Sequence, residues 1–187
     1  MQLPFNEPKA TQAAGKFLTL AGGSLNYMVL IKLLYLLDRA AMFKWARPVT
    51  FDEYYSMKNG PVLSAVHDLI TEQCPPHESG YWSEHISAPS GYSVALSCPA
   101  GDDLLSEEEE LLIQSVFNQY RAYISKPFDF VDLLHKTLPE WTEITSGRVP
   151  LSHRDILKAA KKSDAEVEAI QQELDSLGAD YRALFVR

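Results

Sequence analysis

The stretch LNYMVLIKLLYLLD, residues 25–38, constrains this chain more than any other. From residue 25 to about residue 43 apolar side chains fall on nearly every side of a helix, and the polar positions Lys32 and Arg39, seven apart, make one thin stripe. A helix of that kind needs neighbours on most sides to keep its surface from water, so it belongs at the centre of a domain. It is too short to span a bilayer, and Lys32 interrupts it. A first helix over residues 8–21 stops at Gly22-Gly23, which leaves Ser24 to cap the central one.

The rest of the chain reads as the surroundings of that helix. RPVTFDEYYSM, residues 47–57, has the β-branched and aromatic content of an extended segment. Asn59-Gly60 is a turn signal, and Pro61 suits the first position of a third helix with Val62, Val66, Leu69 and Ile70 on one face. CPPHESG, residues 74–80, reads as a loop, and residues 81–99 as two short strands around Ala88-Pro89-Ser90-Gly91. Ser106 with Glu109 predicts a capping box on a helix that buries Ile113, Val116, Phe117, Tyr120 and Ile124. Further helices are predicted over about 128–138, after Ser152, and after Ser163 or Asp164. The last carries Val167, Ile170, Leu174 and Leu177 at 3-4-3 spacing, a narrow seam suited to docking on one surface. The expected fold class is mainly α, a compact helical domain with one small antiparallel hairpin or sheet. Residues 1–158 are expected to form the domain, and residues 159–187 an appended helix and apolar tail.

Composition narrows the function classes. In 187 residues, 46% hydrophobic and 22% charged residues describe an ordinary globular chain. A net charge of −8 argues against a protein that tracks phosphates, so no nucleic-acid partner is expected. Two cysteines, Cys74 and Cys98, make no disulfide framework, and the N-terminus has no basic stretch followed by an apolar one. The expected location is cytoplasmic, without membrane contact.

Several groupings hint at chemistry. Cys74, His77, His85 and Cys98 have the ligand types of a zinc site but loose spacing, and a solvent-facing loop is the better reading. HRDILKAAK, residues 153–161, echoes a kinase catalytic loop but lacks its asparagine and any glycine-rich loop. Gly22-Gly23-Ser24 has no P-loop lysine. His67 beside Asp68, and His135 near Asp132, are raw material for a general base, but no nucleophile or oxyanion site accompanies them. No cofactor, metal or catalytic set is expected, and the chain reads as a non-enzyme.

The order of motifs adds more. KLLYLLDRAAMFKWARPVTFDEYYSMKNGPVLSAVHDLI, residues 32–70, resembles the Panacea domain, the SocA-like antitoxin family, in its Lys32-Leu33-Leu34-Tyr35 helix, Asp38, Tyr54-Tyr55 and Gly60-Pro61-Val62. Residues 105–120 resemble that family's next helix, and His135, Pro139 and Trp141 its His…Pro-x-Trp segment. Leu134 departs from the pattern, which has a small hydroxyl residue before the histidine. The resemblance spans residues 25–158 and implies a prokaryotic or phage antitoxin that binds and neutralises a co-encoded toxin. It leaves two alternatives: an adaptor delivering the toxin to a cellular protease, or a small hydrolase using His67 or His135. The expected partner-binding residues are Tyr54, Tyr55, Lys58 and Asn59 around the turn, and Leu174, Leu177 and Phe185 on the last helix and tail.

Overall fold

A computed structural model describes residues 4–71 and 80–185, with side chains up to residue 180. Helix α1 (Glu7–Leu20) is capped by Asn6, whose side chain accepts from the Lys9 N–H at 3.1 Å. It buries Ala10, Ala13, Ala14, Phe17 and Leu18. The chain leaves it through Gly22 and Gly23, at φ 89° and 104°, a region that glycine enters without steric cost. Strand β1 (Ser24–Asn26) follows, so Ser24 is not the helix cap: the extended pairing takes it, and the Asn26 side chain accepts from the Met28 N–H at 2.9 Å.

Helix α2 (Tyr27–Trp45) is the central helix the sequence calls for, buried from Val29 through Asp38 without a break. It ends at Ala46, which caps it in the left-handed conformation. Next come strands β2 (Tyr54–Met57) and β3 (Gly60–Leu63), paired antiparallel from Tyr54 opposite Leu63 to Met57 opposite Gly60. Lys58-Asn59 is therefore the tip of a β-hairpin. Gly60, at φ 95°, turns the chain into β3 rather than into a helix. Pro61 sits on an edge strand, where its missing N–H removes no ladder bond to a further neighbour. Helix α3 (Ser64–Thr71) starts three residues later than expected and buries Val66 and Ile70.

Helix α4 (Tyr81–His85) replaces the first of the two expected strands, with Trp82 driven into the core. The second becomes β4 (Ser93–Ala95), which pairs with β1. Helix α5 (Glu107–Tyr120) carries the expected capping box and buries Ile113, Val116 and Phe117. A 3-10 turn, Arg121–Tyr123, leads to helix α6 (Pro127–Thr137), where Leu134 is a core residue. Strand β5 (Arg148–Leu151), absent from the sequence reading, pairs with β2 and makes a second sheet of order β3-β2-β5. Helices α7 (His153–Ala159) and α8 (Asp164–Phe185) pack together; Ser152 and Ser163 cap them as expected, each in a reciprocal pair with the acidic residue three positions on. The fold is mainly α with two small antiparallel sheets, one more than expected. Helix α2 touches α1, α3, α5, α6, α7 and β3.

Candidate functional site

Three buried networks hold the β2–β3 hairpin, and one face of α2 starts all of them. Lys32, Tyr35, Asp38 and Arg39 recur at helical spacing on that face. The Lys32 Nζ donates to the Pro61 carbonyl at 2.7 Å, and the side chain is 2% exposed. Burial pushes its pKa down to about 7. Asp38 is wholly buried and accepts four hydrogen bonds, from the Val49 and Thr50 N–H groups and the Thr50 and Tyr54 hydroxyls, at 2.5–3.0 Å. Burial raises its pKa against the pull of those donors. Tyr35 and Arg39 both donate to Glu140, at 2.9 and 2.5 Å, and so tie the segment after α6 to the centre of the fold.

That segment closes over the hairpin from the other side. The Trp141 Nε1 donates to the Met57 carbonyl at 3.1 Å, and the Thr142 N–H to the Ser56 hydroxyl at 3.2 Å. The His135 ring stacks on Trp141 with centroids 3.8 Å apart and planes 5° apart. Its Nε2 is buried and has no hydrogen-bond partner, and burial followed by the nearby Lys32 lowers its pKa. Gly60 lies between the two nitrogens: a Cβ there would meet Lys32 Nζ at 3.3 Å and His135 Nε2 at 3.7 Å. Asp52 performs a related task at the other end of β3. It accepts from the Ala65 and Val66 N–H groups at 2.9 and 3.0 Å and so caps α3 from outside the helix. Burial raises its pKa to about 6.

The expected binding residues separate into different settings. Tyr54 is 3% exposed, and its hydroxyl bonds Asp38, so it supports the hairpin from beneath instead of presenting a surface. The alternation of a strand explains this, since Tyr54 and Ser56 point to the core and Tyr55 and Met57 away from it. β2 is also the middle strand, so there is no free aromatic edge. Tyr55 is half-buried under the Arg148 guanidinium, 4.7 Å from its ring centre, and Lys58 and Asn59 are exposed at the tip. On α8, Leu174 is buried and Leu177 is 42% exposed; Phe185 is in the last turn, beyond the described side chains.

Beside the hairpin lies a groove of about 480 Å³ that the sequence reading missed. Its walls come from the start of α2, the hairpin, α3, the turn before β4 and the start of α6, and Lys32 is among its lining residues. Tyr92 and Phe128 also line it, 73% and 71% exposed. The signal was present in the sequence only as two aromatics at positions of no obvious packing value.

His67 also lines the groove, with its Nδ1 3.3 Å from the Asp68 carboxylate. His135 instead faces Trp141. Of the zinc-type residues, Cys74 and His77 lie outside the described residues. His85 packs on Tyr81, and the Cys98 thiol donates to the Glu84 carbonyl. Among the described residues no group of three His, Cys, Asp or Glu side chains is placed to hold a metal ion, and no helix is long and apolar enough to cross a membrane.

Comparison with curated proteins and with solved structures returns no match. A family model does match, over residues 30–142, which takes in most of α2, the hairpin, α5, α6 and Trp141. The matched range holds α2, the hairpin and the segment after α6 that the buried networks join, and the chain belongs to the family of SocA-like antitoxins with a Panacea domain.

Proposed function

We propose that this protein is the antitoxin of a toxin–antitoxin pair and neutralises its co-encoded toxin by direct protein–protein binding, through the hairpin tip and the groove beside it. The observation that carries this reading is the division of labour around the hairpin. The motif residues Lys32, Asp38, Pro61, His135 and Trp141 are turned inward as bracing, while Asn59, Tyr92 and Phe128 are left exposed around one concavity and Lys58 is exposed at the tip. Rigid aromatic and polar groups around a depression give contact area at low entropic cost, as interface anchors do. The net charge of −8 favours a basic partner surface at long range.

The test is co-expression with the product of the adjacent reading frame, followed by the same assay with purified components. Direct binding predicts rescue of growth in cells and neutralisation in the purified mixture. Rescue in cells with no effect in the purified mixture replaces direct binding with delivery to a protease, and absence of rescue removes the antitoxin role. The double substitution of Tyr55 and Lys58 should weaken the complex by about tenfold if the tip takes part.

A further inference from the structure

The groove holds an amine that the fold leaves without a counter-charge. Lys32 at its base donates to one carbonyl, that of Pro61, although an ammonium has three donors. No carboxylate among the described residues pairs with it, and desolvation alone accounts for the fall of its pKa to about 7. A cation taken out of water without a counter-charge is costly, whereas a leucine or methionine would fill the same volume without that cost. The buried Nε2 of His135, unpartnered, flanks the same glycine as the amine. Above this base Tyr92 and Phe128 stand with most of their surface in solvent, and the polar side chains of Asn59, His67 and Thr71 complete the lining. The combination of exposed aromatics and an amine without a counter-charge is complementary to an apolar segment that carries one negative charge.

We propose that the groove seats an apolar segment of the toxin and that an Asp or Glu side chain of that segment enters it to pair with the Lys32 amine; this rests on the antitoxin reading. A side chain fits better than a chain end. Capture of a terminal carboxylate uses consecutive free backbone N–H groups. Here the strands of the hairpin are paired in the β2–β3 ladder, the Tyr27 N–H donates to the Tyr92 carbonyl at 2.9 Å, and the Met28 N–H donates to the Asn26 side chain. Among the lining residues Lys32 is the one lysine or arginine. Pairing would return Lys32 to its charged form and supply the missing counter-ion, and the exposed aromatics would exclude water from the pair.

Calorimetric titration of the adjacent reading frame's product into wild-type protein, Lys32→Met and Phe128→Ser tests this. Each variant should bind about 10- to 100-fold more weakly with unchanged circular dichroism. A scan of the toxin, Asp→Asn and Glu→Gln one position at a time, should find one substitution that reproduces the Lys32→Met loss and adds nothing to it when the two are combined. If Lys32→Met does not fold, Phe128→Ser and the toxin scan decide alone. Wild-type binding that both variants retain within about twofold overturns the proposal and leaves the antitoxin reading intact, as does coupling of Lys32 to the toxin's terminal carboxylate instead of a side chain. Absence of binding by the wild-type protein removes the antitoxin reading, and this proposal falls with it.

Discussion

Lys32 is where sequence pattern and chemistry part company. As a polar residue on an apolar helix it reads as part of one thin stripe with Arg39, and it is buried with its amine on the Pro61 carbonyl. Its folded pKa of about 7 lies below the unfolded value of 10.5. The unfolded chain therefore binds more protons between those values, and stability rises with pH across that window. The penalty is fully present below about pH 7. Tyr35 and Tyr54, whose pKa values burial raises, reverse the trend above about pH 10, because there the native state holds the extra protons. Urea unfolding should thus show a gain of about 3 kcal/mol between about pH 7 and pH 9.5, and Lys32→Met should abolish the slope. Between about pH 4 and 6 no such clean window exists. Asp52, raised to about 6, loses stability as pH rises there, while His153, lowered to about 4, gains it. Asp38 makes a second case at this scale: Asp38→Ala strands four donors in the interior and should cost about 3 kcal/mol or more, read as a shift in the urea midpoint at constant slope.

Among the elements, those defined by local chemistry were legible and those defined by distant partners were not. The capping boxes at Ser106 and Ser152 join residues three apart, so sequence spacing is enough to find them. Ser152→Ala should cost about 1 kcal/mol in thermal or urea unfolding. The start of α3 is different: Asp52, twelve residues before Ser64, supplies its cap, and nothing adjacent to the helix announces that. The same holds for Asn59-Gly60-Pro61. Its residues are compatible with a turn into a helix or with a hairpin, and the ladder to β2 together with the Lys32 contact selects the hairpin. Gly60→Ala meets a positive φ and a Cβ position 3.3 Å from the Lys32 amine, and should destabilise the protein by about 1–3 kcal/mol, more than Ser152→Ala in the same assay.

In the whole molecule, α2 is the hub and the networks are its spokes. Glu140, with its side chain fully buried, accepts from Tyr35 and Arg39, and Trp141 reaches the hairpin, so residues 84 to 105 positions apart close around one strand pair. The family match ends at residue 142, before β5, α7 and α8. We propose that residues 159–187 are an addition to the domain. Removing them uncovers the surface that Val167 and Leu174 bury and should lower stability by about 3 kcal/mol or more, while a folded core that still binds the toxin remains. Loss of cooperative unfolding on truncation would make α8 part of the domain instead.

What the sequence determined by itself is the central helix, the capped helices around it and the family, because each is written in periodicity or in short motifs that need no partner to be read. What the tertiary structure decided is the direction in which each polar group faces. Tyr54 turned inward, Lys32 became the base of a groove, and β5 converted a hairpin into a sheet with β2 in the middle. The physical reason is that desolvation and hydrogen-bond pairing of a buried polar side chain depend on atoms brought in from elsewhere along the chain, and spacing along the chain carries no record of which atoms those will be.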